Sequence, residues 1–199
     1  MQHDETTGPG AQAFASVLAA AQAGAGWART IIWTEHSGQV TAFLTARGVR
    51  EPEDLASEVF IDLFAALPRF EGDAAALRGL LFSIAYRRMV DEFRSRSRRG
   101  HTEELGEDID PRRAPSAAEE AERRLGDVAA LRMLDGLPPD QRDVLTLRII
   151  ADLPIEQVAR ILGKRPDAVK QLQRRGLERL RKHIAHTRHF FPHSDDGSE

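Results

Sequence analysis

The stretch ILGKRPDAVKQLQRRGLERLRK, residues 161–182, decides how the chain is read. Gly163 is a natural helix stop and Pro166 suits the first turn of a new helix, so a three- or four-residue turn is expected between them. Upstream, Pro154 starts a helix carrying Ile155, Val158, Ala159 and Leu162 on one side. Downstream, Val169, Leu172, Leu177 and Leu180 recur at helical spacing as the buried side of the next. A short helix, a glycine-containing turn and a second helix with basic side chains outward is the helix-turn-helix arrangement, whose second helix fits the major groove of DNA. Between Arg160 and Lys182 nine basic residues stand against two acidic ones, a net +7. Lys164, Arg165, Asp167, Lys170, Gln171, Arg174 and Arg175 fall on the open face, where they suit phosphates and base edges. An ordinary helical hairpin with a solvated basic face carries the same pattern.

The whole chain is not basic. Its 199 residues have a formal net charge of -3, so the positive charge is local, and the length allows one medium domain or two small ones. Aromatic residues make up 6% and cysteine is absent, which favours small helical cores and excludes disulfide frameworks, thiolate metal sites and cysteine nucleophiles. The N-terminal MQHDETTGPGAQAF lacks a basic start followed by an apolar run, so no secretion signal is expected. No apolar window reaches membrane-spanning length. A soluble, cytoplasmic chain without membrane insertion is the expectation.

Residues 1–25 are rich in small and polar residues and read as a mobile tail with one weak helix at most. A first helical domain is expected over 26–99. Trp27, Ile31, Ile32, Val40, Phe43 and Leu44 open it, with Gly38 as a potential break. Pro52 begins a helix whose Leu55, Val59, Leu63 and Leu67 form one stripe, and Pro68 ends it. A long helix follows from Ala74 to about Arg99. Residues 100–126 carry many carboxylates together with Pro111 and Pro115, and read as an acidic linker. Residues 127–186 form the second helical domain and 187–199 a frayed tail. The fold class expected is all-α, two small helical domains on a flexible join.

Three further constellations stand out. YRRMVDEFRSRSRRG, residues 86–100, interleaves arginines with aromatics, a pairing suited to unpaired DNA bases, although Phe82 and Phe93 read better as core and Tyr86 is undecided. Asp54, Glu58 and Asp62 form an acidic stripe at i, i+4 and i+8, which favours a solvated or partner-binding face over a metal site. His183, His186, His189 and His193 are spaced too irregularly for a zinc site. No nucleophile motif, phosphate-cradling glycine loop or paired carboxylate is visible, so neither an enzyme nor a small-molecule substrate, cofactor or metal is expected.

Taken in order, EDLASEVFIDLFAALPRF, LLFSIAYRRMVDEFRSRSRR, the acidic linker and LDGLPPDQRDVLTLRIIADLPIEQVARILGKRPDAVKQLQRRGLERLR resemble the bacterial RNA polymerase sigma factors of the sigma-70 family, and most closely the extracytoplasmic-function kind. The resemblance spans about residues 27–184. It implies that Asp54, Leu55, Glu58, Val59, Phe60, Asp62 and Phe64 bind core RNA polymerase. It implies that Phe70, Asp73, Tyr86, Arg87, Arg88, Asp91, Arg94 and Arg98 recognise and open the minus-10 element of promoter DNA. The open face of the last helix would read the minus-35 element as duplex, and an anti-sigma factor is a further implied partner. Ser57, Leu80 and Arg87 depart from the family pattern, which commonly has Gln, Trp and Asn there. A stand-alone helix-turn-helix regulator, or a module that only sequesters another regulator, would share parts of the pattern.

Overall fold

The computed structural model describes residues 9–99, 134 and 136–190. Within them the chain forms seven α-helices and no strand: α1 (Pro9–Gln22), α2 (Gly26–Ala46), α3 (Pro52–Ala66), α4 (Ala74–Arg99), α5 (Pro139–Ile149), α6 (Ile155–Leu162) and α7 (Pro166–Phe190). The expected linker at 100–126 and the histidine at 193 lie outside the described residues. A 3-10 turn, Leu67–Arg69, follows α3, so Pro68 tightens the helix end into one more turn before the chain leaves it.

Local signals account for most boundaries. Prolines stand in the first turn of α3 and α5, where the missing N–H costs nothing, and Glu53 and Asp54 complement the positive end of α3. Gly163 adopts φ 61, and the Lys164 N–H donates to the Ala159 carbonyl at 2.9 Å, closing α6 in the left-handed manner a glycine permits. Gly38 does not break α2, which runs unbroken to Ala46 with Val40, Phe43 and Leu44 buried beyond it.

The N-terminal segment, read as a mobile tail with one weak helix at most, holds one helix. Residues 9–22 form α1, and Leu18 and Ala21 pack into the core. Alanine-rich segments give a faint periodic signal because each methyl buries little area, yet small side chains let helices approach closely. At the other end, α7 continues through Phe190, past the fraying expected from 187.

The core is shared. Phe43 and Phe82 meet edge to face at 5.7 Å, and the cluster around them takes in Val144, Leu147, Leu153 and Val158 from the second half. A smaller cluster joins Ala46 of α2 to Leu134, Leu137 and Leu145, with Leu177 and Leu180 of α7 packed against it. The two helical halves therefore pack directly on one another.

Candidate nucleic-acid and polymerase interfaces

Val169 is fully buried and Leu172 half-buried, which turns the opposite side of α7 outward. Arg165, Asp167, Lys170, Gln171, Arg174 and Arg175 are all exposed there, as expected. Among the described residues their ion pairs are short-range ones along the helix, Lys170 with Asp167 at 3.6 Å and Arg174 with Glu178 at 3.9 Å, and such exposed pairs exchange readily for phosphate oxygens. Lys164 differs from this group. Its ammonium meets Asp140 at 3.0 Å, so it bridges the turn to α5 and is the least available of the seven.

The eight residues expected to meet the minus-10 element, six of them on α4, do not share one role. Arg87, Asp91, Arg94 and Arg98 are exposed, with Arg94 at 3.4 Å from Asp91. Arg88 is committed to the protein. Its Nε and Nη2 donate to the two oxygens of Asp62 at 2.6 and 2.7 Å, and Nη1 donates to Glu58 at 3.0 Å. This fork-to-carboxylate geometry holds Asp62 below the usual carboxylate range, with the Arg88 hydrogen bonds as the largest cause, and raises Arg88 in turn. Arg88, expected from the resemblance to meet the minus-10 element, is thus held in a tie between α3 and α4.

Asp73 caps α4, its Oδ1 accepting from the Ala76 N–H at 2.7 Å. Phe70 is half-buried against the core. The loop between them hangs from α1: the Gln22 amide donates to the carbonyls of Leu67 at 3.0 Å and Phe70 at 2.8 Å. Gln22 was not expected, because a lone Gln at the end of an alanine-rich segment carries no sequence signal. Phe82 is fully buried, as read from its spacing. Phe93 is half-buried beside the core, with the Arg96 guanidinium 5.0 Å from its ring centre.

Tyr86, undecided from sequence, turns inward. Its hydroxyl donates to Asp143 at 3.1 Å, and burial pushes its pKa up to about 12.

On α3, Asp54 and Glu58 are exposed and Leu55 and Phe64 half-buried, with Phe64 packed on Phe60 and the Arg29 guanidinium over its ring. Val59 and Phe60 are buried at 0% and 1% exposure. They lie on the inner stripe, where they support from the core the face expected to meet polymerase. Ile61 faces outward instead: it is 67% exposed, one turn from Glu58 and two from Asp54. The signal was legible, since Ile61 falls out of register with Leu55, Val59 and Leu63.

Residues 32–99 match the family described as Sigma-70 region 2, and residues 127–180 match Sigma-70, region 4. The chain is 35% identical over 132 residues to the ECF RNA polymerase sigma factor ShbA of Streptomyces griseus, covering 65% of this chain and 69% of that one. It is 30% identical over 138 residues to the ECF RNA polymerase sigma factor SigD of Mycobacterium tuberculosis, covering 66% and 62%. Against the ECF RNA polymerase sigma factor SigX of Bacillus subtilis it is 30% identical over 148 residues, covering 71% and 75%. Among solved structures, CnrH in complex with the cytosolic domain of CnrY matches with a TM-score of 0.62 at 20% identity, covering 87% of this chain and 97% of that one, a likeness of fold.

Proposed function

The chain belongs to the ECF RNA polymerase sigma factors of the sigma-70 family, and from that membership we propose how its faces divide the work of directing polymerase to promoters. The exposed side of α7 reads duplex DNA at the minus-35 element through Lys170, Gln171, Arg174 and Arg175, with Arg165 on the flanking phosphates. The loop Phe70–Asp73 and the outer side of α4, carrying Arg87, Arg94 and Arg98, meet the minus-10 element. Asp54, Glu58, Ile61 and Phe64 form the surface offered to core polymerase, an apolar centre flanked by carboxylates. In this reading the chain catalyses nothing itself and works in the cytoplasm, where polymerase is. No helix among the described residues is long and apolar enough to cross a membrane.

The observation that carries the reading is the contrast on α7 between buried Val169 and an exposed row of cations with Gln171 among them. A helix kept clear of its own protein on its most basic side is presented to a polyanion. A stand-alone regulator would give residues 32–99 a dimerisation or ligand-binding role, and the region 2 match over those residues favours the sigma reading. An anti-sigma partner is part of the proposal; the fold likeness to CnrH, which was solved in complex with the cytosolic domain of CnrY, supports it.

The test is the recognition helix. Arg174→Ala and Lys170→Ala should each weaken minus-35-dependent promoter binding by the holoenzyme by about 1–3 kcal/mol where a base contact is lost, with relaxed sequence preference. Lys164→Ala should change it less, since that ammonium is turned to Asp140. Unaltered binding and preference in both of the first two variants would contradict the assignment of this face.

A further inference from the structure

The basic face of α7 does not end with the residues assigned to the minus-35 element. Arg181 stands seven residues beyond Arg174, and Lys182 seven beyond Arg175. Seven residues are close to two helical turns, so each lies almost directly above its counterpart on the same outward face, about 10 Å further along the axis. Both are exposed, as is Arg179 on the flank of the stripe. The region 4 match ends at residue 180, whereas α7 runs on to Phe190.

The packing of α7 fixes where these cations point. Leu177 and Leu180 pack against the cluster that holds Leu134, Leu137 and Leu145. Gly176 is buried, and a Cβ there would stand 2.9 Å from Leu145 Cδ1, so α5 and α7 meet at close range little more than one turn before Arg181. The side opposite that seam is held outward, and Arg181 and Lys182 stand on it.

Neither the helix dipole nor pairing along the helix explains these cations. The dipole favours positive charge near a helix C-terminus, but the effect fades within the last turn, and α7 continues for two turns past Lys182. The one carboxylate between Ala168 and Phe190 is Glu178, which lies 3.9 Å from Arg174. Among the described residues no ion pair involves Arg175, Arg179, Arg181 or Lys182. The formal net charge of the chain is -3, so a general excess of basic residues does not account for them either.

A helix that reads bases with its N-terminal turns enters a major groove about 8.5 Å deep. Side chains about 10 Å further along it than Arg174 and Arg175 are then clear of the base edges and level with the phosphates at the edge of the groove. We propose that Arg181 and Lys182 form a second DNA site on α7, a sequence-independent clamp on backbone phosphates beside the bases that the N-terminal half of the helix reads. Phosphate contacts of this kind add affinity and salt dependence and carry no base preference. Which bases lie beside the clamp rests on the proposed function; the attraction of Arg181 and Lys182 for duplex phosphates does not.

The test compares the full-length chain with its Arg181→Gln/Lys182→Gln variant, which keeps good helix formers at two exposed positions. Titrated with a duplex of random sequence at about 50 and about 200 mM salt, the wild type should bind more tightly, and its advantage should shrink roughly tenfold at the higher salt, as two phosphate contacts require. Arg181→Lys/Lys182→Arg should restore wild-type behaviour, since a phosphate clamp needs the charge and not the shape. In holoenzyme with core RNA polymerase on pooled genomic fragments, the Gln variant should initiate at the wild-type start sites with at least fivefold lower yield at the lower salt, in contrast to the relaxed preference expected of Arg174→Ala. Equal salt dependence in the wild type and the Gln variant, or no duplex binding by the wild type at about 50 mM salt, overturns the proposal. A change of start sites in the Gln variant also overturns it, because the pair would then be base readers. If the wild-type chain leaves polymerase silent, the sigma reading fails, and the salt titration alone then decides the clamp.

Discussion

Arg88 grips Asp62 with two parallel hydrogen bonds, 2.6 Å from Nε and 2.7 Å from Nη2, and so ties α4 to α3 across a face on which both residues are only partly covered. Arg88→Ala should lower stability by about 1 kcal/mol, at the upper end for partly exposed pairs because the geometry is bidentate. Arg88→Lys should recover little of it, since an ammonium cannot match both oxygens. The native Asp62 carboxyl is depressed, so its contribution is present above the unfolded value near 4 and is lost as pH falls through the native one. Urea unfolding of the three proteins between pH 7 and pH 3 checks both statements, and an Arg88→Ala protein as stable as wild type at pH 7 would remove the tie.

Phe60 and Ile61 are neighbours in sequence with opposite duties. Phe60→Ala should cost about 3–5 kcal/mol of stability, as large-to-small changes of a fully buried aromatic do. Ile61→Glu should leave the unfolding midpoint nearly unchanged and weaken association with core polymerase at least tenfold, read by titration of labelled chain. Full polymerase affinity in a folded Ile61→Glu protein would remove α3 from the proposed interface.

Gln22 links α1 to the loop that follows α3. Removing the amide in Gln22→Ala leaves the Leu67 and Phe70 carbonyls without that donor, at a cost of about 1–2 kcal/mol for the two bonds. Faster amide exchange at residues 70–73 is the expected signature, together with slower minus-10 opening by the holoenzyme and unchanged minus-35 duplex binding. Equal loss of both activities would mean that α1 supports only the general fold.

Much of this was legible from single residues. Pro52, Pro139 and Pro166 mark helix starts because a missing N–H is harmless there, and Gly163 marks a stop because only a glycine takes its φ without strain. The basic face of α7 was legible because buried Val169 and half-buried Leu172 set the phase of the helix. What escaped were relationships between distant positions. Nothing local distinguishes Asp143 from any solvated aspartate, since its partner Tyr86 is 57 residues away. The same holds for Arg88, whose charge reads as available until Asp62 is seen beside it. Val59 and Phe60 were placed among the polymerase-binding residues by resemblance, while the i+4 stripe places Val59 inside and burial takes in Phe60 as well.

His36 is half-buried on α2, and burial, aided by the Arg78 charge, holds it below its ordinary pKa while Glu35 pulls the other way. The unfolded state therefore binds the proton more readily, so the contribution of neutral His36 is present above about pH 6.5 and is lost as pH falls through the native value. The thermal midpoint should fall between pH 7.5 and pH 5.5, and His36→Gln should flatten that slope. An unchanged slope in the variant would assign the acid sensitivity elsewhere.

The central claim is that this chain gives core RNA polymerase a promoter choice. The measurement is in vitro transcription with purified chain and bacterial core polymerase on pooled genomic fragments, with start sites mapped by sequencing. The account predicts initiation that requires the chain, from sites sharing one upstream motif, and its loss in an Arg174→Ala/Lys170→Ala protein that still binds polymerase. If core polymerase starts at the same sites with and without the chain, while the chain alone binds duplex fragments, the sigma assignment is contradicted and a stand-alone DNA-binding role takes its place.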